Sequence, residues 1–120
     1  PMICYDLRFP VFARNDVDYD LILFVANWPN TRISAWDALL KARAIENQAY
    51  VIGLNRVGTD GFNADYPGHS QVLDPEGDCI SMAPEYEVGL VEVTLSRNYL
   101  MACRKRHLFL SDRDTFTITD

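Results

Sequence analysis

In the opening stretch "PMICYDLRFP", Cys4 follows the apolar pair Met2 and Ile3 and precedes the mixed run Tyr5-Asp6-Leu7-Arg8. It therefore falls where an apolar strand gives way to a turn or a helix start. A cysteine at such a junction has two uses. It fills space as a small hydrophobe, or its thiolate attacks an electrophilic carbon where the surroundings favour the anion. Position adds weight to the second use. Ligands of α/β sheets gather beyond the carboxyl ends of strands, and helix N-termini present N–H groups that favour a thiolate. The amide N–H just after the cysteine, that of Tyr5, can also point at a developing oxyanion. No nearby His and Asp complete a triad, and the two histidines, His69 and His107, lie far along the chain without the local signatures of papain-like or caspase cysteines.

Other side chains offer supporting chemistry, each with a plainer use beside it. Arg8 lies four positions after Cys4; its guanidinium suits bidentate capture of a carboxylate, or a structural ion pair with Asp6. Asn27 and Trp28 close an apolar run, where they line a pocket or form a capped turn beside a core tryptophan. Glu46 sits in a helical pattern and reads as a packing or surface carboxylate. Lys105 belongs to "CRKRHLF", a solvated basic face that suits a helix C-terminus. His69 has no second His or Cys at ligand spacing, so no metal is expected. Gly58, Gly61 and Gly68 do not have the spacing of a phosphate cradle. The three cysteines, Cys4, Cys79 and Cys103, form neither an even set nor a C-x-x-C pair, which argues against a disulfide framework or a zinc site.

The elements that must position these groups alternate along the chain. Met2 to Cys4 reads as the end of a buried strand, and Pro10 suits the first turn of a short helix through Val11, Phe12 and Ala13. The apolar run Leu21 to Val25 reads as a strand covered on both faces. From Ser34 to Gln48, Ala35, Trp36, Leu39, Leu40, Ala42 and Ile45 recur at helical spacing. Tyr50 to Asn55 returns as a strand, and Val57 to Gly68 is rich in Gly, Asn and Asp and reads as a loop. His69 to Leu73 and Cys79 to Met82 flank Asp74-Pro75-Glu76-Gly77, a hairpin turn. Val88 to Leu95 alternates as one more strand, Arg97 to Arg106 forms a last helix, and Leu108 to Asp120 is a tail with scattered apolar anchors. The order implies α/β layering with a mixed sheet.

Composition bounds the function. A chain of 120 residues with 48% hydrophobic content suits one globular core. A net charge of -6, from 17 acidic against 11 basic residues without a long basic run, argues against a nucleic-acid surface. No stretch reaches the roughly 18 apolar residues of a membrane span, and no signal peptide precedes the first strand. The expected compartment is the cytoplasm.

The segments "ICYDLRFP", "YDLILFVANWP", "ALLKARAIENQAYVIGLNRVG", "GHSQVLDPEG" and "DRDTF", in this order, resemble the C-terminal half of a nitrilase-superfamily carbon-nitrogen hydrolase of the omega-amidase-like branch. The resemblance implies that residues 1–120 are the C-terminal part of an αββα sandwich with a mixed β-sheet, the upstream half of the domain being absent. It implies a Glu-Lys-Cys set in which Cys4 is the nucleophile and passes through a thioester, with the Tyr5 N–H and the lysine holding the oxyanion. The glutamate and lysine precede the cysteine in the family, so neither Glu46 nor Lys105 takes their place, and the chain alone is expected to be inactive. Arg8 is expected to meet a substrate carboxylate, with Asn27, Trp28 and Tyr5 lining the pocket. The implied substrate is a small omega-amide of a dicarboxylic 2-oxo acid, hydrolysed by water without a cofactor. A homodimer through helices is implied too, with Trp36 and Leu39 or Leu40 suited to the contact, although a core-facing stripe explains the same residues. The alternatives are a non-catalytic ligand-binding or assembly module, and a nitrilase or acyltransferase activity of the same superfamily.

Overall fold

Apolar runs and one helical stripe build the main sheet with a helix against one face. The computed structural model describes residues 1–119. Strands β1 (Met2–Ile3), β2 (Leu21–Ala26), β3 (Tyr50–Asn55), β6 (Gln71–Leu73) and β7 (Cys79–Met82) form a five-stranded sheet in the order β1-β2-β3-β6-β7. The pairs β1–β2 and β2–β3 are parallel, whereas β3–β6 and β6–β7 are antiparallel. The architecture is thus α/β with a mixed sheet, as the order of elements implies.

Helix α1 (Ile33–Asn47) is the crossover between the parallel strands β2 and β3. Register places Phe24 beside Gly53 and Ile22 beside Val51, so these residues share one face, on which Trp36, Leu40 and Ala44 pack. Contact is close at Gly53: a Cβ there would stand 2.5 Å from Leu40 Cδ1 and 2.7 Å from a ring carbon of Trp36. The buried side of α1 also holds Arg43 and Asn47, while Ile45, expected in the apolar stripe, is 44% exposed. Ile45 instead meets the β6–β7 turn, where Gly77 adopts φ 88° and leaves no room for a side chain against it.

The opposite sheet face is open. Ile3, Leu21, Val25 and Leu54 are 72%, 43%, 47% and 48% exposed, so β2 is covered on one face only, and the strand end at Ile3 is an exposed edge. Between this face and the extended segment 87–93 lies a groove of about 790 Å³, lined by Ile52, Leu54, Val72, Val88 and Leu90 among others.

Three further expectations are corrected. The short helix begins at the cysteine itself, as a 3-10 helix Cys4–Arg8, because Asp6 reaches back to accept the Ile3 N–H at 2.8 Å and closes the first turn. Positions 10–13 form only a turn. The 57–68 stretch is not all loop. It carries the ladder β4 (Val57–Thr59) with β5 (Asp65–Pro67), closed by Asp60, whose carboxylate accepts the Phe62 and Ala64 N–H groups. Val88 to Leu95 alternates as a strand but is not one, because no strand lies beside it among the described residues to take up its backbone groups.

Helix α2 (Arg97–Arg106) follows, capped by Ser96, whose hydroxyl accepts the Tyr99 N–H, with Leu100 and Cys103 buried. The basic stretch after Cys103 is not uniformly solvated. Lys105 is exposed, but Arg104 donates to Asp20, Tyr19 O and Gln48 O and so ties α2 to the start of β2. No helix among the described residues is long and apolar enough to cross a membrane. Trp36 and Leu40 are wholly buried within the chain and offer no surface to a second subunit.

Candidate active site

Cys4 and Asn27 meet at the carboxyl ends of two adjacent parallel strands. Ile3 pairs with Val25, so Cys4 stands level with Ala26, the last residue of β2, one position before Asn27. Cys4 is half-buried, and its thiol faces the Asn27 carbonyl at 4.0 Å. Its backbone has φ 42°, in the left-handed region, a conformation that costs a β-carbon-bearing residue energy and persists where neighbouring structure enforces it. The enforcement is visible: the Asp6 carboxylate grips the Ile3 N–H, and Leu7 is fully buried.

The 3-10 helix that follows leaves its first backbone donors, those of Cys4 and Tyr5, without intrahelical acceptors. The Tyr5 N–H is thus beside the sulfur at a helix start, an arrangement able to hold an oxyanion at a carbon the sulfur attacks. The Tyr5 side chain is 66% exposed, with its ring edge-on to Phe9 at 5.0 Å.

The guanidinium of Arg8 lies over the ring of Trp28, 4.7 Å from its centroid, an attractive cation–π placement. No carboxylate pairs with Arg8 among the described residues; Asp6 is engaged with the Ile3 N–H instead. Arg8 is exposed, so its hydrogen-bonding fork is open to an incoming carboxylate. Trp28 is buried; it donates its indole N–H to Arg32 O at 2.7 Å and packs on Trp36 with centroids 5.6 Å apart. The Asn27 side chain is exposed, and it is the main-chain carbonyl that reaches the thiol. Cys4, Tyr5, Arg8, Asn27 and Trp28 therefore gather on one rim, while the groove along the open sheet face includes none of them. That groove is a gap beside a bare apolar face; the rim is where the Cys4 thiol, the Tyr5 N–H and the Arg8 guanidinium lie together.

Several residues that shape this rim escape sequence reasoning. Arg43, buried in α1, donates to Leu7 O at 2.5 Å and pairs with Glu46 at 2.9 Å. Glu46 is thus tied to its own helix, with its main-chain carbonyl accepting from Arg14. The Asn47 amide accepts the Asn15 N–H at 2.9 Å, and Asn15 returns a bond to Asn47 O at 3.1 Å. The end of α1 in this way fastens both limbs of the loop that carries Cys4. Asn55 holds the Trp28 backbone from the end of β3. His69 sits between two carboxylates, Nδ1 3.0 Å from Asp37 and Nε2 2.9 Å from Glu85, and its carbonyl accepts the Trp36 indole N–H. The signal for these residues was their polarity inside otherwise apolar or turn-like segments.

Comparison with known proteins identifies the family. The model of the carbon-nitrogen hydrolase family matches residues 1–105. The omega-amidase YafV of Escherichia coli K12 is 49% identical over 118 residues, covering 98% of this chain and 46% of that protein. The 2-oxoglutaramate amidase of Paenarthrobacter nicotinovorans is 40% identical over 112 residues, covering 92% of this chain and 37% of that protein. Among solved structures, a CN-hydrolase superfamily protein of Xanthomonas campestris with an arsenic adduct in its active site superposes with a TM-score of 0.93 at 45% identity, covering 98% of this chain and 47% of that one. The chain spans about half the length, or less, of the curated relatives it matches. With its mixed α/β sheet, its family match and its near relatives, the chain belongs to the carbon-nitrogen hydrolase family of the nitrilase superfamily.

Proposed function

We propose that this chain carries the nucleophile and the substrate-carboxylate contact of an amidase that hydrolyses a small omega-amide of a dicarboxylic 2-oxo acid. The observation that carries the reading is the rim itself. A cysteine at a left-handed strand exit faces the Asn27 carbonyl, and the exposed guanidinium of Arg8 is stacked on Trp28 beyond it. In this reading the Cys4 sulfur adds to the amide carbon, the oxyanion is held in part by the Tyr5 N–H, and the C–N bond breaks as the nitrogen takes a proton and leaves as ammonia. Water then cleaves the thioester, giving a carboxylate and restoring the thiol. Arg8 selects substrates whose far end is a carboxylate. Names support the substrate class, since one relative is an omega-amidase and another a 2-oxoglutaramate amidase. The arsenic adduct in the active site of the Xanthomonas protein is compatible with a sulfur nucleophile, because soft thiolates attract soft elements.

A general base for the thiol and a lysine for the oxyanion are supplied, in this reading, by a segment upstream of Pro1. The same upstream half covers, in this reading, the apolar sheet face on which Ile3, Leu21, Val25 and Leu54 are exposed side by side, since contiguous exposed apolar residues mark a contact surface. A homodimer through helices would use side chains other than Trp36 and Leu40, which are buried.

The test is ammonia release from a 2-oxo-acid omega-amide by the full-length gene product and by this chain alone. Turnover by the former that vanishes in Cys4→Ala, with none from the chain alone, is expected. Turnover that survives Cys4→Ala removes the nucleophile, and Cys4-dependent turnover by the chain alone removes the need for an upstream base.

A further inference from the structure

Asn55 ends β3 and holds the backbone of Trp28, over whose ring Arg8 lies. Its side-chain amide makes a two-way pair with the Trp28 backbone: Oδ1 accepts the Trp28 N–H at 2.6 Å, and Nδ2 donates to Trp28 O at 2.9 Å. Nδ2 also donates to Gly68 O at 2.8 Å, so three polar atoms of the amide's surroundings are satisfied at once. The Asn55 main chain is held separately, its N–H donating to Ser70 Oγ at 2.9 Å and its carbonyl accepting from the same hydroxyl at 3.1 Å. The side chain is therefore left to join the Trp28 turn to Gly68. Beyond Trp28 itself the turn is closed by the Arg32 N–H donating to Pro29 O at 3.0 Å. Trp28 is followed by Pro29, which has no N–H to give, and the other polar anchor of Trp28 is its indole bond to Arg32 O. Both Trp28 hydrogen bonds to Asn55 span 27 residues of sequence. They fix the height and tilt of the one aromatic ring on which the Arg8 guanidinium rests, 4.7 Å away.

We infer that Asn55 is a positioning residue for substrate selection: by clamping the Trp28 backbone it holds the ring that carries Arg8, and so sets where a substrate carboxylate is captured relative to the Cys4 sulfur. This rests on the reading of Arg8 as the carboxylate contact. Asn55 touches no reacting atom. Its loss leaves the thiol in place and lets the cation drift, which weakens the charged end of a substrate and leaves a neutral one unaffected.

The experiment compares kcat/KM for succinamate and for butanamide, its neutral counterpart, in the full-length gene product. Arg8→Met serves as the benchmark and is expected to abolish most of the preference for the carboxylated amide. Asn55→Ala and Asn55→Asp are each expected to lower that preference about tenfold, chiefly through KM for succinamate. Asn55→Asp keeps the acceptor for Trp28 N–H and loses the donor. Trp28→Leu, which removes the ring and leaves Asn55 in place, is expected to lower the preference as well. Ser70→Ala loosens the same strand end without touching Trp28 and is expected to leave the ratio unchanged. If Arg8→Met keeps the preference, the carboxylate reading itself fails and the inference with it. If Arg8→Met loses the preference but the Asn55 variants or Trp28→Leu keep it, the inference alone is overturned. It is equally overturned if Ser70→Ala lowers the ratio as far as the Asn55 variants do.

Discussion

Arg43, inside the last turns of α1, donates to the carbonyl of Leu7, three residues past the cysteine, at 2.5 Å. Arg43 is 3% and Leu7 0% exposed, so the bond is desolvated. Arg43→Met keeps most of the side-chain volume but leaves Leu7 O without a donor and Glu46 without its partner. A destabilisation of about 2–3 kcal/mol is expected, the size of a lost hydrogen bond to a buried charged group. Urea unfolding followed by far-UV circular dichroism checks it; a midpoint unchanged from the parent removes Arg43 as the fastener of the Cys4 loop.

At Gly53 α1 packs tightly on the sheet, since a Cβ there would fall 2.5 Å from Leu40 Cδ1. Gly53→Ala forces either the helix or β3 to shift, and overpacking of this kind costs roughly 1–3 kcal/mol. Leu40→Ala added to Gly53→Ala removes the two Leu40 methyls from the clash and leaves only the Trp36 ring carbon at 2.7 Å. The double variant is expected to be less destabilised than the two single effects sum to, a coupling read from a double-mutant cycle.

The Asp60 carboxyl is held below the ordinary carboxylate range by hydrogen bonds from the Ala64 N–H, the Tyr66 hydroxyl and the Phe62 N–H, with Arg56 adding attraction. A depressed folded-state value means its contribution is complete above the ordinary carboxylate pKa, about 3.9 for an aspartate, and is lost as pH falls through the lower folded value. The β4–β5 ladder is therefore expected to open at acid pH before the main sheet does, seen as early loss of amide protection at Ala64. Asp60→Asn is expected to remove that acid dependence, and an unchanged pH profile in the variant argues that another group controls the ladder.

The sheet's parallel core was legible because its signals are local. Leu21 to Val25 is a continuous apolar run, Trp36 to Leu40 recurs at helical spacing, and the Asp74–Gly77 turn carries its own turn chemistry. Cys4 was legible as a strand-end thiol for the same reason. What hid from the sequence depends on partners far away in it. Arg43 and Asn47 sit on the buried face of α1 and bond to Leu7 and Asn15, 36 and 32 residues distant. The β4–β5 ladder rests on Asp60 supplying bonds that a Gly-rich, Asn-rich stretch disguises. Val88 to Leu95 has the alternation of a strand, but strand pairing is a property of two segments, and only one is among the described residues. The rim was legible only in part, because Asn27 contributes its carbonyl, which any residue type has, rather than its amide.

The three thiols differ in setting, and alkylation separates them. Cys79 is exposed, Cys4 is half-buried at the rim, and Cys103 is 3% exposed on the inner face of α2. Native labelling with iodoacetamide, followed by peptide mapping, is expected to modify Cys79 and Cys4 and to spare Cys103 until the helix detaches. Protection at Cys103 then reports the stability of α2 docking. Arg8 stands on the Cys4 rim and not near Cys79, so succinate that binds Arg8 is expected to slow labelling of Cys4 and leave Cys79 unaffected. Equal slowing of both thiols would mean a bulk salt effect, and no slowing of Cys4 would mean that the Arg8 fork and the sulfur do not share one site. Arg8→Met separates these outcomes further, since protection by succinate that survives loss of the guanidinium places the anion elsewhere on the rim.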